Sequence, residues 1–271
     1  MDAPPARAQA SQWFHHAIHY REATMNKILS AVATMIVALG AHAQEPHPPW
    51  SYEGATGAAH WAELDMAYKL CKFGKHQSPI NIDTSKAVKA ALKPTAFAYK
   101  SANVALVNNG HSVQVNLPPG SVATIDGVSY ALVQFHFHAP SEEQIDGKPY
   151  PMVAHLVHKD AQDDLAVVAV LFKEGKEKKA LKPLFANLPQ KAGDTGKLAS
   201  FDPAVLLPSG SGFYQFTGSL TTPPCSEDVL WRVMKTPVEV SPAQLAAFRK
   251  LYKMNARPVQ PLGDRVVLQS R

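Results

Sequence analysis

Eight consecutive apolar residues, Leu165-Ala166-Val167-Val168-Ala169-Val170-Leu171-Phe172, constrain the fold of this chain more than any other stretch. Side chains of a strand alternate between two faces, so a run without alternation must be covered on both. That places it at the centre of a sheet with packed layers on either side. The surrounding text is strand and turn. Apolar or alternating segments occupy residues 104–107, 113–117, 131–138 and 152–158. Asn108-Asn109-Gly110, Pro118-Pro119-Gly120, Asp126-Gly127 and Asp146-Gly147 separate such segments as turns. Helical text is sparse: a short helix over 60–69, a surface helix over 176–186, and one over 241–252 with Ser241 as N-cap and Pro242 first inside. No repeat, linker or composition break divides residues 44–271, so one domain is the economical reading.

Ahead of that domain, Met25-Asn26-Lys27 precedes an apolar run over 28–39 and the small-x-small triplet Ala41-His42-Ala43. These are the three regions of a secretory signal peptide. Residues 25–43 are therefore read as the signal, 1–24 as an extension ahead of a start at Met25, and 44–271 as the mature domain. The apolar run is too short to span a bilayer comfortably, and no other segment is long enough, so no stable membrane anchor is expected. The protein is expected outside the cytoplasm, periplasmic or extracellular. Cleavage after Ala43 would remove three basic and two acidic residues, leaving a net charge of +4 against +5 for the whole chain. That mild excess shows no Lys/Arg run with interleaved aromatics, which argues against a nucleic-acid partner. Cys71 and Cys225 are the only cysteines. In an exported protein a lone pair suggests one disulfide, the alternative being two unrelated buried thiols.

Chemistry concentrates in Gln134-Phe135-His136-Phe137-His138 and in His155, seventeen residues further on. On a strand Gln134, His136 and His138 share one face, while Phe135 and Phe137 take the other. Two imidazoles on one face, with a third from another apolar strand, make a three-histidine metal site. Three neutral nitrogen ligands with a position left open suit catalytic zinc. One rival remains at this point: His136-x-His138 followed by Glu142 also resembles part of the first cupin motif, an iron or manganese site. The glycines that motif needs are misplaced here, Gly127 too far upstream and Gly147 too close downstream.

Six motifs in order go further. Gln77-Ser78-Pro79-Ile80-Asn81-Ile82, Asn108-Asn109-Gly110-His111, Gln134-Phe135-His136-Phe137-His138, Ser141-Glu142, His155-Leu156-Val157-His158 and Gly218-Ser219-Leu220-Thr221-Thr222-Pro223-Pro224-Cys225 span most of residues 50–262. Together they closely resemble the alpha-class carbonic anhydrases, with the exported bacterial branch as the nearest match. The resemblance implies a mainly β (α+β) single domain, with a large twisted, mostly antiparallel central sheet, short peripheral helices and a conical cleft. The implied activity is zinc-dependent, reversible hydration of carbon dioxide to bicarbonate and a proton, with ester hydrolysis as a slow side reaction. Sulfonamides and anions are the expected inhibitors, and a homodimer is one assembly state it admits.

Carried over residue by residue, the resemblance makes His136, His138 and His155 the Zn2+ ligands. Thr221 accepts a hydrogen bond from the hydroxide and donates its own to Glu142, and His111 shuttles the proton. Thr222 contacts bicarbonate. Val157, Val167, Leu220 and Trp231 form the apolar wall where carbon dioxide rests. Tyr52, Asn109, Gln114 and Thr222 order the intervening waters. Without the resemblance, Thr221 and Glu142 read as a turn hydroxyl and a surface carboxylate, His111 as a polar residue after a hairpin turn, and the wall as ordinary core.

Two positions depart from the family pattern. Gln134 matches the partner of His136's second nitrogen, and a backbone carbonyl near Asn255 suits His138. The family usually supplies a glutamate two residues before the third ligand, where this chain has Val153, and a histidine after the Ser-Glu pair, where it has Glu143. Glu143 either replaces the missing carboxylate, directly or through water, or is left strained or exposed while His155 has no carboxylate partner. The second is the simpler expectation. It implies weakened zinc retention, improved by Val153→Glu, with the hydration mechanism intact; the alternative function is a zinc-weakened carbonic-anhydrase-like protein of low or no activity.

Overall fold

The computed structural model describes residues 48–271. The expected signal and N-terminal extension lie outside the described residues. Thirteen strands form one twisted, mixed sheet: β1 (Val88–Ala90), β2 (Ala96–Ala98), β3 (Ala102–Asn108), β4 (Val113–Asn116), β5 (Val122–Ile125), β6 (Val128–His138), β7 (Met152–Lys159), β8 (Leu165–Glu174), β9 (Thr195–Phe201), β10 (Phe213–Gly218), β11 (Val229–Met234), β12 (Val238–Val240) and β13 (Leu268–Ser270). The main path runs β9-β3-β4-β6-β7-β8-β11-β10-β13-β1. Most neighbours are antiparallel; β8 pairs parallel with β11 and β12, and β13 with β1. A small separate sheet joins Asn81–Ile82, Gln144–Ile145 and Lys148–Pro149.

The unalternating run lies on β8, between β7 and β11, and residues 166–172 are all buried. From Val167 to Phe172 its even-numbered and odd-numbered members serve two different cores. Val168, Val170 and Phe172 join Phe135, Phe137, Ala154 and Leu156 under a layer that includes Phe185 and Phe248. Val167, Ala169 and Leu171 join Val153, Val157, Trp231 and Val233 on the opposite face. Pleating sorts the two sets. It also puts His136 and His155 on the second face, opposite each other in the β6–β7 register.

The helices are shorter than the sequence suggests, for local reasons. Over 60–69 the chain makes α1 (Trp61–Leu64), a 3₁₀ turn (Met66–Tyr68) and then α2 (Leu70–Phe73). Asp65 interrupts them: its backbone is extended and its side chain accepts from the Ala67 N–H. A carboxylate that bonds nearby backbone in this way competes with helix continuation. Over 176–186, a 3₁₀ turn (Lys179–Leu181) leads into α3 (Lys182–Ala186), with Pro183 in the first turn where no N–H donor is needed. The third helix, α4 (Pro242–Arg249), begins as expected and gains a capping box: Ser241 Oγ accepts from the Gln244 N–H, and Gln244 Oε1 accepts from the Ser241 N–H. Among the described residues no helix is long and apolar enough to cross a membrane.

Candidate metal centre and active-site cleft

The sheet register builds the site in rows. Gln114, His136, His155 and Ala169 are successive cross-strand partners from β4 to β8. The next row runs Asn116, Gln134, Val157, Val167 and Trp231 as far as β11. His138 faces Val153 two pairs from the His136–His155 pair, on the other side. Two strands thus carry all three imidazoles, and the ligand-capable nitrogens of His136, His138 and His155 lie within 4.8 Å of one another.

Each ring is held through one nitrogen. His136 Nδ1 contacts Gln134 Oε1 at 2.8 Å, and His138 Nδ1 contacts the Asn255 carbonyl at 2.7 Å. Both partners are acceptors, so each Nδ1 carries the hydrogen and each Nε2 keeps its lone pair. His138 Nε2 is buried with no hydrogen-bond partner among the described residues. A buried polar atom left in this way costs free energy unless a further group engages it. His155 is held the other way round, with its Nε2 on the Glu143 carboxylate and its Nδ1 turned inward. Burial and the neighbouring His155 push His136 down to about 3, and burial pushes His138 well below the usual histidine range. Both therefore present neutral imidazoles near pH 7, the form that ligates. Burial also pulls His155 downward, but the carboxylates of Glu143 and Glu142 outweigh it and raise its pKa. The donor set of three imidazoles, with the orphaned Nε2, fits a zinc ion.

Behind the imidazoles sit two adjacent carboxylates. Glu142, read from sequence as a surface group in the absence of the resemblance, is 2% exposed. Its Oε1 accepts from the Arg257 N–H at 2.7 Å, and its Oε2 lies 3.8 Å from His155 Nδ1. Burial raises Glu142 to about 7; His155, the Thr221 hydroxyl and the Arg257 N–H work against that rise, and Glu143 adds to it. The simpler expectation for Glu143 fails: it is neither exposed nor remote from His155. It is fully buried, with Oε1 and Oε2 at 3.0 and 3.2 Å from His155 Nε2.

Thr221 and Thr222 lie on the loop after β10. Ser219 ties this loop to the chain around Ser78: Ser219 Oγ accepts from the Ser78 N–H at 2.8 Å, and Ser78 Oγ accepts from the Ser219 N–H at 3.1 Å. Gly218 permits the approach, since a Cβ there would stand 2.2 Å from Ser78 Oγ. Trp231 Nε1 donates to the Ser219 carbonyl, and Leu220 N–H to that of Ser226. The expected disulfide closes at the loop's end, with Cys71 and Cys225 joined and 5.1 Å apart at Cα.

A cleft of about 200 Å³ opens above the imidazoles. Tyr52, Asn109, His111, Gln114, Gln134, Val157, Val167, Leu220, Thr221, Thr222 and Trp231 all line it with the three histidines; Glu142 and Glu143 stand behind. His111 is half-buried near the mouth, and desolvation lowers its pKa. Its ring lies parallel to that of Trp50, with centroids 3.6 Å apart. Asn109 Oδ1 accepts from the N–H groups of His111 and Ser112 and so fixes the turn that carries the ring. Gln114 Nε2 donates to Asn116 Oδ1, and the buried Tyr52 hydroxyl meets no hydrogen-bond partner among the described residues.

Sequence reasoning missed Trp50, Asn255's side chain and Arg257. Trp50 stands in irregular chain just after a Pro-rich stretch, with nothing local to mark it. Asn255 bridges the Ala139 N–H and the carbonyls of Phe137 and His111, linking β6 to the His111 turn. Arg257 spends its guanidinium on Gln77 Oε1 and on the carbonyls of Ser78 and Cys71. A lone loop arginine in a sequence gives no sign of such burial.

A sequence profile of the eukaryotic-type carbonic anhydrases matches residues 56–271. A carbonic anhydrase of Klebsiella pneumoniae is 46% identical over 224 residues, covering 81% of this chain and 90% of the relative. One from Neisseria gonorrhoeae is 40% identical over 248 residues, covering 91% and 98%. The solved alpha-carbonic anhydrase of Thermovibrio ammonificans, in complex with the inhibitor sulfanilamide, superposes with a TM-score of 0.80 at 46% identity, covering 81% of this chain and 98% of that one. With its fold, its three-histidine cluster and nearly all of its described length accounted for, the chain belongs to the alpha-class carbonic anhydrase family.

Proposed function

We propose that the protein hydrates carbon dioxide reversibly at a zinc ion held by His136 and His138 through Nε2 and by His155 through Nδ1. The observation that carries this reading is the convergence of three imidazole nitrogens beneath a cleft with one apolar wall, beside Thr221 and the buried Glu142. Zinc in such a site lowers the pKa of a bound water to about 7, a value known from carbonic anhydrase itself.

The remaining work belongs to the chain. Thr221 accepts a hydrogen bond from the attacking oxygen and donates its own to Glu142, so a lone pair faces the carbon atom; this is positioning rather than acid–base catalysis. Val157, Val167, Leu220 and Trp231 offer carbon dioxide an apolar surface, and Thr222 contacts the bicarbonate formed. His111 carries the proton outward. Desolvation keeps its pKa below the usual histidine value, so its ring is largely neutral near pH 7 and ready to accept. Tyr52, Asn109, Gln114 and Thr222 order waters between. Ester hydrolysis follows as a slow side reaction of the same nucleophile. The Cys71–Cys225 bond supports work in an oxidising compartment outside the cytoplasm, in keeping with the signal sequence read over 25–43.

The alternative of a zinc-weakened, low-activity relative rested on a missing carboxylate beside His155, and Glu143 stands there. Stopped-flow hydration with a pH indicator tests the proposal. Hydration abolished by a sulfonamide is expected; zinc-replete protein with no sulfonamide-sensitive hydration would refute it.

A further inference from the structure

Glu143 and Val153 occupy the two ends of one question: what orients the third imidazole. Val153 is on β7, two residues before His155 and on the same face of the strand. It is fully buried in the apolar core and offers His155 no acceptor. Glu143 comes from the chain after β6, and both of its oxygens stand within 3.2 Å of His155 Nε2. Ser141 helps hold that approach: its Oγ donates to the Glu143 carbonyl at 2.7 Å and accepts from the Tyr150 N–H.

A carboxylate only accepts, so the contact places the hydrogen of His155 on Nε2 and leaves the Nδ1 lone pair facing inward. Glu142 and Glu143 are both buried, and among the described residues no Lys ammonium or Arg guanidinium nitrogen lies within 4.0 Å of either carboxylate. Arg257, the nearest candidate, turns its guanidinium to Gln77, Ser78 and Cys71. Two buried carboxylates beside the imidazoles complement the charge of a dication held there.

We infer that Glu143 is the positioning residue of the third ligand: it fixes the His155 tautomer and ring orientation from a loop, while the strand position that could do so, Val153, is given to the core. This rests on the zinc reading above. It also changes what Val153→Glu should do. Rather than supply a missing partner, that substitution alone adds a third buried carboxylate to a site that already has two.

The test follows zinc loss from the loaded protein into excess chelator, for the natural chain, Glu143→Gln and the double variant Glu143→Gln with Val153→Glu. Glu143→Gln keeps shape and removes the carboxylate, and zinc affinity should fall about 10–100-fold, a range measured partly in this family. The double variant, with a carboxylate restored on the same face, should recover to within a few-fold of the natural chain. Equal retention by the natural chain and Glu143→Gln would overturn the inference, as would a folded double variant no better than the single one. Should the double variant not fold, ring-nitrogen NMR of the loaded natural chain and Glu143→Gln decides. A His155 Nε2–H signal shifted by the substitution supports the role, and one unmoved overturns it. A natural chain that takes up no zinc would instead count against the metal site itself.

Discussion

Removal of the Cys71–Cys225 bond should cost this fold heavily in stability while leaving its chemistry largely in place. The bond spans 154 residues of sequence, more than half of the described chain. In the chain-entropy account, a crosslink over such a loop restricts the unfolded ensemble by about 5 kcal/mol, and removing a native disulfide typically costs about 2–5. Cys225 is fully buried and Cys71 nearly so, both packed with Trp61 and Tyr68, so paired alanines leave little room for relaxation. A loss of about 3–5 kcal/mol is expected for Cys71→Ala with Cys225→Ala. With a urea m-value of about 2–3 kcal/mol/M, the midpoint should fall by about 1–2.5 M at equal zinc concentration. The Thr221 loop keeps its other ties, from Ser219 to Ser78 and from Leu220 to Ser226, so hydration per zinc should stay within a few-fold under native conditions. A midpoint shift below about 0.3 M would refute the loop-closure reasoning. A stable variant that had lost its hydration would refute the claim that those other ties hold the loop.

Two further outcomes follow. His111→Ala should lower kcat toward the roughly 10³–10⁴ s⁻¹ set by proton loss to bulk water from an acid of pKa near 7, leave kcat/KM nearly unchanged, and regain turnover with added imidazole buffer; an unaltered kcat in weak buffer would remove His111 from proton transfer. His158 is buried against Tyr99, and burial lowers its pKa to about 4. The unfolded chain binds a proton there near pH 6.5 and the folded chain does not. Stability is therefore fully present above that pH and falls by roughly 3 kcal/mol as the pH drops through about 4. The stability difference between the natural chain and His158→Gln should shrink across that window, and a pH-independent difference would contradict the assignment.

What the sequence made legible were features set by neighbours a few residues apart. Alternation along β6 puts His136 and His138 on one face, and absence of alternation in Leu165–Glu174 marks the centre of the sheet. Ser241 and Pro242 announce α4 because capping is local chemistry. The registers that set His155 opposite His136, or Trp231 beside Val167, depend on pairing between distant segments and left no local mark. The helix expected over 60–69 broke at Asp65, whose carboxylate bonds its own turn. The position of Glu143 was the least legible of all. A carboxylate is normally an exposed group, and what permits its burial is the His155 ring beside it and the cation that the site would hold.

Zinc titration into chelator-stripped protein, with carbon dioxide hydration recorded at each addition, addresses the central claim most directly. Activity should rise linearly with zinc and saturate at one ion per chain, and His136→Ala should abolish the break point. Saturable binding of one zinc per chain with hydration no faster than the uncatalysed rate would contradict the account.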